Sequence, residues 1–274
     1  MQNADACASR SEYAQKSFDT GDRFIDGLEL ANAFGVRNTD AKDLQRLRGY
    51  KHLRGGCLCS IFSCVPDNLP QLASSLAAVA RSFHARGWLL GTSGNLSAVV
   101  QREPLRLAMS PSGIDKGELN PEQVVTIDAG AHVVSNHAAK PSDESLLHVR
   151  IVQTRGAGAV LHTHSVWNTM LSDLFAHEGG VNIEGYEMLK GLQGVRTHEH
   201  SEWLPIIENS QDMPALAETV AHTLTTHNTA HGFLLERHGL YSWGDNLAQA
   251  KRHIEILEFL LETLGRTLLV KTGA

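Results

Sequence analysis

Nowhere in its 274 residues does the chain carry an apolar run of the roughly 18 residues needed to cross a bilayer, and it contains no internal repeat. A helical membrane span and a repeat array are therefore not expected. The opening stretch MQNADACASRSEYAQ lacks the apolar core of a secretory signal, so a soluble, cytoplasmic protein is expected. Cysteine is scarce: Cys7, Cys57, Cys59 and Cys64 all precede the histidine-bearing segments, and CLCSIFSC lacks the CxxC pairs of structural zinc. Free thiols are the expectation. An excess of positive charge is absent too, since 24 basic residues are mixed with 30 acidic ones for a net charge of −6. That argues against nucleic acid or anionic lipid as partner and for a small molecule.

Residues 1–66 mix short polar stretches with the charged RNTDAKDLQRLRGYKHLRGG and offer few apolar positions, so a poorly ordered N-terminal extension is expected there. From residue 67 the pattern changes. Leu72, Leu76, Val79 and Phe83 recur at helical spacing and stop at Gly87. LSAVV and PLRLAMS follow as short strands, QVVTID and AHVVS as another pair, SLLHVRIVQTR as a helix, and AVLHTH as a strand. A helix over Met213–Thr226, two short strands within GFLLERHGLYSWG and a long final helix complete the pattern. Asp245 is the expected N-cap of that last helix, with Leu247, Ile254, Leu257, Leu261 and Leu264 as its buried stripe. Hairpins with flanking helices predict an α/β domain over 67–274: three layers around a mainly antiparallel central sheet.

The segment GAVLHTHSVWNT places His162 and His164 two residues apart at the end of an apolar run. In a strand, positions i and i+2 share a face, so both imidazoles point one way and Thr163 the other. His238, after the apolar run in GFLLERHG, can supply a third imidazole from a neighbouring strand. Three histidines with an open fourth position form the pattern of catalytic zinc. Most of the other histidines, among them His148, His177, His198, His200, His222, His227, His231 and His253, are expected to be packed or hydrogen-bonded. Two loops rich in donors, GTSGNLS and SPSGIDKGEL, suit a phosphorylated ligand: Gly91 to Gly94, Asn95 and Ser97 in one, Ser110, Ser112, Gly113 and the cation Lys116 in the other.

GNLS, SPSGIDKG, KPSDESLLH, GAVLHTH and ERHG occur in this order, and the combination resembles the class II aldolase and epimerase family over about residues 69–268. The resemblance implies a class II aldolase-like fold, one zinc ion per subunit held by His162, His164 and His238, a phosphosugar substrate and a homotetramer. GYEMLKGL and PSGIDKG are most similar to the branch that dehydrates 5-methylthioribulose 1-phosphate in methionine salvage, which implies a hydro-lyase with Glu187 as acid/base. Asn95, Ser112, Gly113 and Ser142 fall where the family holds phosphate, with Lys116 as an accessory. Glu144 stands where aldolases carry their catalytic acid, but the Ser-Ser-Glu signature is here Ser142, Asp143, Glu144. An aspartate pointing inward there would repel a phosphate dianion. Glu187 also has the ordinary spacing of a surface ion pair with Lys190. Two other readings stay open: an aldolase or pentulose-phosphate 4-epimerase in which Glu144 matters more, and a scaffold or binding module.

Overall fold

The computed structural model describes residues 69–135 and 139–273. The expected N-terminal extension and all four cysteines lie outside the described residues. Helix α1 (Leu69–Ala85) leads into strands β1 (Asn95–Arg102), β2 (Leu105–Met109) and β3 (Val125–Asp128), then α2 (Ser145–Arg155) and β4 (Ala159–Thr163). Next come α3 (Val166–Leu174), β5 (Gly180–Glu184), β6 (Ser201–Ile207), α4 (Met213–Thr226), β7 (Gly232–Leu235), β8 (Gly239–Gly244) and α5 (Leu247–Thr272). The eight strands form one sheet in the order β3-β2-β1-β4-β8-β7-β6-β5. Every neighbouring pair is antiparallel except β6 with β7.

Two apolar clusters sandwich this sheet. One takes Leu76 and Phe83 of α1, Leu171 of α3 and Ile254, Leu257 and Leu261 of α5; the other takes Val149 and Ile151 of α2 and Leu216 and Val220 of α4. The expected three-layer arrangement is thus observed. Alternation along β4 explains how a single strand serves both layers, since Ala159 and Leu161 belong to the first cluster and Val160 to the second. All five residues of β4 are buried, as the central position of the strand requires.

Several local expectations need correction. The N-cap of α5 is Asn246, whose side chain accepts from Gln249 N; Asp245 instead accepts a hydrogen bond from Gln193 Nε2 at 2.8 Å. Leu247 and Leu264, at the ends of the expected stripe, are only half-buried. AHVVS contributes a single bridge, Val133 with Ile127, rather than a strand. Three elements had no forecast: α3, β5 and β6. The first is only nine residues long and follows β4 directly, with Ser165 as its N-cap, while β6 contains Pro205, a residue that usually argues against a strand.

Thr163 turns away from the histidine face, as alternation requires, and donates to Glu258 of α5, which also accepts from Asn168 Nδ2 at 3.0 Å. This carboxyl is buried behind the end of β4, and burial pushes its pKa up to about 7. The folded protein therefore binds a proton at Glu258 that the unfolded chain releases near pH 4.5. Stability from this group is complete below that value and is lost as pH rises through about 7. Glu258→Gln keeps the acceptor without the charge, so melting temperatures measured from pH 5.5 to 8.5 should fall more steeply in the parent than in the variant.

Candidate metal centre

Strand register places the centre. Asn95 of β1 lies opposite His162 of β4, and His162 lies opposite Tyr241 of β8, so three side chains form one row on the α2 face. His162 stacks on Tyr241 with ring centroids 3.8 Å apart, and Tyr241 stacks on Phe233 at 4.9 Å. His164 follows directly after β4, its backbone N–H donating to Trp88 O at 2.8 Å. His238 sits in the three-residue turn between β7 and β8, beside Arg237 in the left-handed region at φ 53°. Helix α3 grips that turn: Arg237 N donates to Ser172 Oγ at 2.9 Å and Thr169 Oγ1 donates to His238 O at 3.2 Å. Gly239 makes the approach possible, because a Cβ there would stand 2.8 Å from His162 Cε1. Gly94 (φ 66°) does the same on the other side, where a Cβ would stand 2.7 Å from His162 O.

The three Nε2 atoms converge: His162 to His164 is 2.7 Å and His162 to His238 is 3.3 Å. The His162 Nδ1–H donates to Leu240 O at 3.0 Å, which leaves Nε2 as a lone pair. His238 Nδ1 faces Asn209 Oδ1 at 3.4 Å and can be fixed in the same sense. Protonation would relieve the mutual repulsion, but burial opposes it. Desolvation holds His162 well below its ordinary pKa against the pull of Glu144, and it lowers His164 to about 4. Convergent imidazole nitrogens suit a divalent cation, whose tetrahedral ligands at 2.0–2.1 Å would stand roughly 3.3 Å apart. The donor set therefore fits a metal.

Glu144, at the N-terminus of α2, joins this group. Its Oε1 lies 3.0 Å from His238 Nε2 and its Oε2 3.7 Å from His162 Nε2, and Asn95 Nδ2 donates to Oε2 at 2.6 Å. Burial raises the carboxyl's pKa, but His162, His238 and the Asn95 amide outweigh it and hold the group well below the usual carboxylate range. Asn95 Nδ2 also donates to Ser142 Oγ at 3.1 Å. Asp143 is exposed. Tyr241 Oη, beside Glu144, is buried with no hydrogen-bond partner among the described residues, an orphan that a ligand or water could satisfy.

The remaining expected site residues are placed differently. Ser112 and Gly113 lie on an exposed loop, tied toward Ser142 through Ser112 N donating to Lys140 O at 3.0 Å. Lys116, expected as a phosphate accessory, is buried; its ammonium donates to Ile114 O at 2.9 Å and Thr92 O at 3.2 Å. It knits the two donor-rich loops together instead, and burial lowers its pKa despite Asp115. Glu187 begins a 3₁₀ turn after β5, is exposed, and forms an ion pair with Lys190 rather than with the histidines. Sequence reasoning did not single out Tyr241 or the contacts of His148. Alternation along LYSWG was the available signal for the tyrosine.

A second cluster, His200, Glu202 and His231, is satisfied without an ion. Glu202 accepts from His200 Nε2 at 2.8 Å, from His231 Nδ1 at 2.9 Å and from His231 N at 2.8 Å. His231 Nε2–H reaches Gln193 O at 2.8 Å. Burial opposes the charge on this ring, yet Glu202 raises its pKa, as a buried imidazolium–carboxylate pair requires. After dialysis against zinc, elemental analysis of His162→Ala should therefore find the bound metal reduced from about one per chain to near zero. His200→Ala should leave the metal content unchanged.

Residues 74–264 match the family described as Class II Aldolase and Adducin N-terminal domain. The chain is 40% identical over 192 residues to the methylthioribulose-1-phosphate dehydratase of Sorangium cellulosum, covering 70% of this chain and 90% of that protein. It is 41% identical over 189 residues to the dehydratase of the same name from Picosynechococcus sp., covering 68% and 88% respectively. Among solved structures, YgbL from Klebsiella pneumoniae, a putative aldolase/epimerase/decarboxylase, superimposes with a TM-score of 0.61 at 23% identity, covering 73% of this chain and 90% of that one. An L-fuculose-1-phosphate aldolase from Thermus thermophilus gives 0.60 at 22% identity, covering 76% of this chain and 100% of that one. The sequence match and the fold together establish that this chain belongs to the class II aldolase family.

Proposed function

We propose that the protein dehydrates 5-methylthioribulose 1-phosphate to 2,3-diketo-5-methylthiopentyl 1-phosphate, a hydro-lyase step of methionine salvage. The observation that carries this reading is the 40% identity over 192 residues to a dehydratase of that specificity. The catalytic unit is residues 67–274, preceded by an extension, and it works in the cytoplasm as a homotetramer with one zinc ion per subunit. His162, His164 and His238 would hold the metal. When bound, zinc would supply Lewis-acid stabilisation of negative charge on the substrate's C2 and C3 oxygens.

The chain's own residues then handle binding and protons. Asn95, Ser142, Ser112 and Gly113 would take the phosphate, with Lys116 fixing the loops that present them. Remote binding of this kind orients the reacting carbons. Glu187 is ionised, its carboxyl held down by Lys190, as a base must be. Its ion pair is exposed and easily exchanged for substrate. It removes the C3 proton, the electron pair forms the C3–C4 double bond, and the now protonated carboxyl returns its proton to the C4 hydroxyl, which leaves as water. The C3 enol then ketonises to the 2,3-diketone.

One observation favours a second assignment of the proton chemistry. Glu144 faces His238 at 3.0 Å, whereas Glu187 pairs with Lys190. In that reading Glu144 is the acid/base, as in an aldolase or pentulose-phosphate 4-epimerase. Turnover of the methylthio sugar by zinc-loaded protein, with fuculose and ribulose phosphates in parallel, separates the readings. Diketone formation should be reduced about 10²- to 10⁴-fold by Glu187→Gln with zinc retained. Cleavage or epimerisation of the other sugars without diketone, abolished by Glu144→Gln, would move the assignment to the aldolase branch.

A further inference from the structure

His148, the fourth residue of α2, is fully buried and bridges two same-face residues of β1. Its Nδ1 is 2.7 Å from Ser97 Oγ, and its Nε2 is hydrogen-bonded to Asn95 Oδ1. The donor inventory fixes the hydrogens of Asn95, His148 and Ser97 in this chain of contacts. Both amide hydrogens of Asn95 are engaged, by Glu144 Oε2 at 2.6 Å and Ser142 Oγ at 3.1 Å, so its Oδ1 must accept. Only a proton on His148 Nε2 can meet that oxygen. A neutral ring protonated there has a lone pair on Nδ1, which accepts from the Ser97 hydroxyl. Flipping the Asn95 amide would set its oxygen against the Glu144 carboxylate, and a ring protonated on Nδ1 alone would leave Asn95 Oδ1 without a donor.

We propose that His148 is a positioning residue for the reaction: through its Nε2–H it sets the orientation of the Asn95 amide, which holds the Glu144 carboxylate toward His162 and His238. It touches neither the histidine cluster nor a bound ligand, and it acts through Asn95. The proposal rests on the enzymatic reading above, in which Asn95 and Ser142 take the phosphate, so that a misturned Asn95 amide misplaces the reacting carbons. A packing role for His148 would make its shape matter and its Nε2 proton irrelevant. Burial pushes the ring's pKa down to about 4, in keeping with a neutral imidazole.

The test compares His148→Phe, which keeps a ring and removes the donor, with His148→Gln, whose amide can donate to Asn95. His148→Phe should lower kcat for the methylthio sugar by about 10- to 100-fold with zinc content unchanged. His148→Gln should restore kcat to within about threefold of the parent, whatever its melting temperature. A His148→Phe enzyme with parental kcat would overturn the proposal, as would a stable, zinc-loaded His148→Gln enzyme as slow as His148→Phe. Long-range ¹H–¹⁵N spectra of histidine-labelled protein decide the point without substrate: the resonance missing from His148→Gln should be a neutral ring protonated on Nε2. Protonation on Nδ1 instead would overturn the proposal. Absence of turnover in the parent, with the Nε2–H form present, would remove the assigned reaction and leave the positioning geometry standing.

Discussion

Three imidazoles converging at the end of β4, one buried and two half-buried, form the constraint on which the rest of this structure turns. Such an arrangement is repulsive by itself, so the fold has to impose it. Strand register does most of that, by setting His162 between Asn95 and Tyr241 on one row. Close packing does the remainder: Gly239 lets the β7–β8 turn press against β4, and α3 holds the turn from behind.

The two sides of β4 have different work. On the α2 face, a continuous set of hydrogen bonds runs from Ser97 through His148 and Asn95 to Glu144 and Ser142, and the carboxylate stays ionised beside the histidines. On the α5 face, Thr163 and Asn168 anchor the end of the strand to Glu258, a carboxyl whose pKa burial raises to about 7. The carboxylate beside the histidines and the carboxyl behind them thus have pKa values moved in opposite directions by their surroundings.

The convergence of the three histidines was legible in the sequence because alternation in a buried strand is a strong local rule, and the HxH spacing used it directly. The three-layer fold was legible for the related reason that apolar periodicity separates helices such as α1 and α5 from the strands between them. Less could be foreseen where function depends on contacts distant in sequence. Lys116 looked like a cation for phosphate, yet burial commits its ammonium to two carbonyls. Asp143 looked like an obstacle to phosphate, but it is exposed, while Glu144 on the next position turns inward. His148 was expected to be packed or hydrogen-bonded in its helix, which is so, but its partner Asn95 lies 53 residues away. No local pattern announces such a pairing. Helix α3 carries apolar periodicity over only nine residues directly after β4, and β6 is interrupted by Pro205.

The most direct measurement is X-ray absorption at the zinc edge of the purified, zinc-loaded protein. The account predicts a first shell at about 2.0–2.1 Å containing three imidazole nitrogens, recognisable by their outer-shell scattering, with oxygen completing the set. A shell containing thiolate sulfur near 2.3 Å, or one or two imidazoles with the rest oxygen, would contradict the assignment of His162, His164 and His238 as the metal centre.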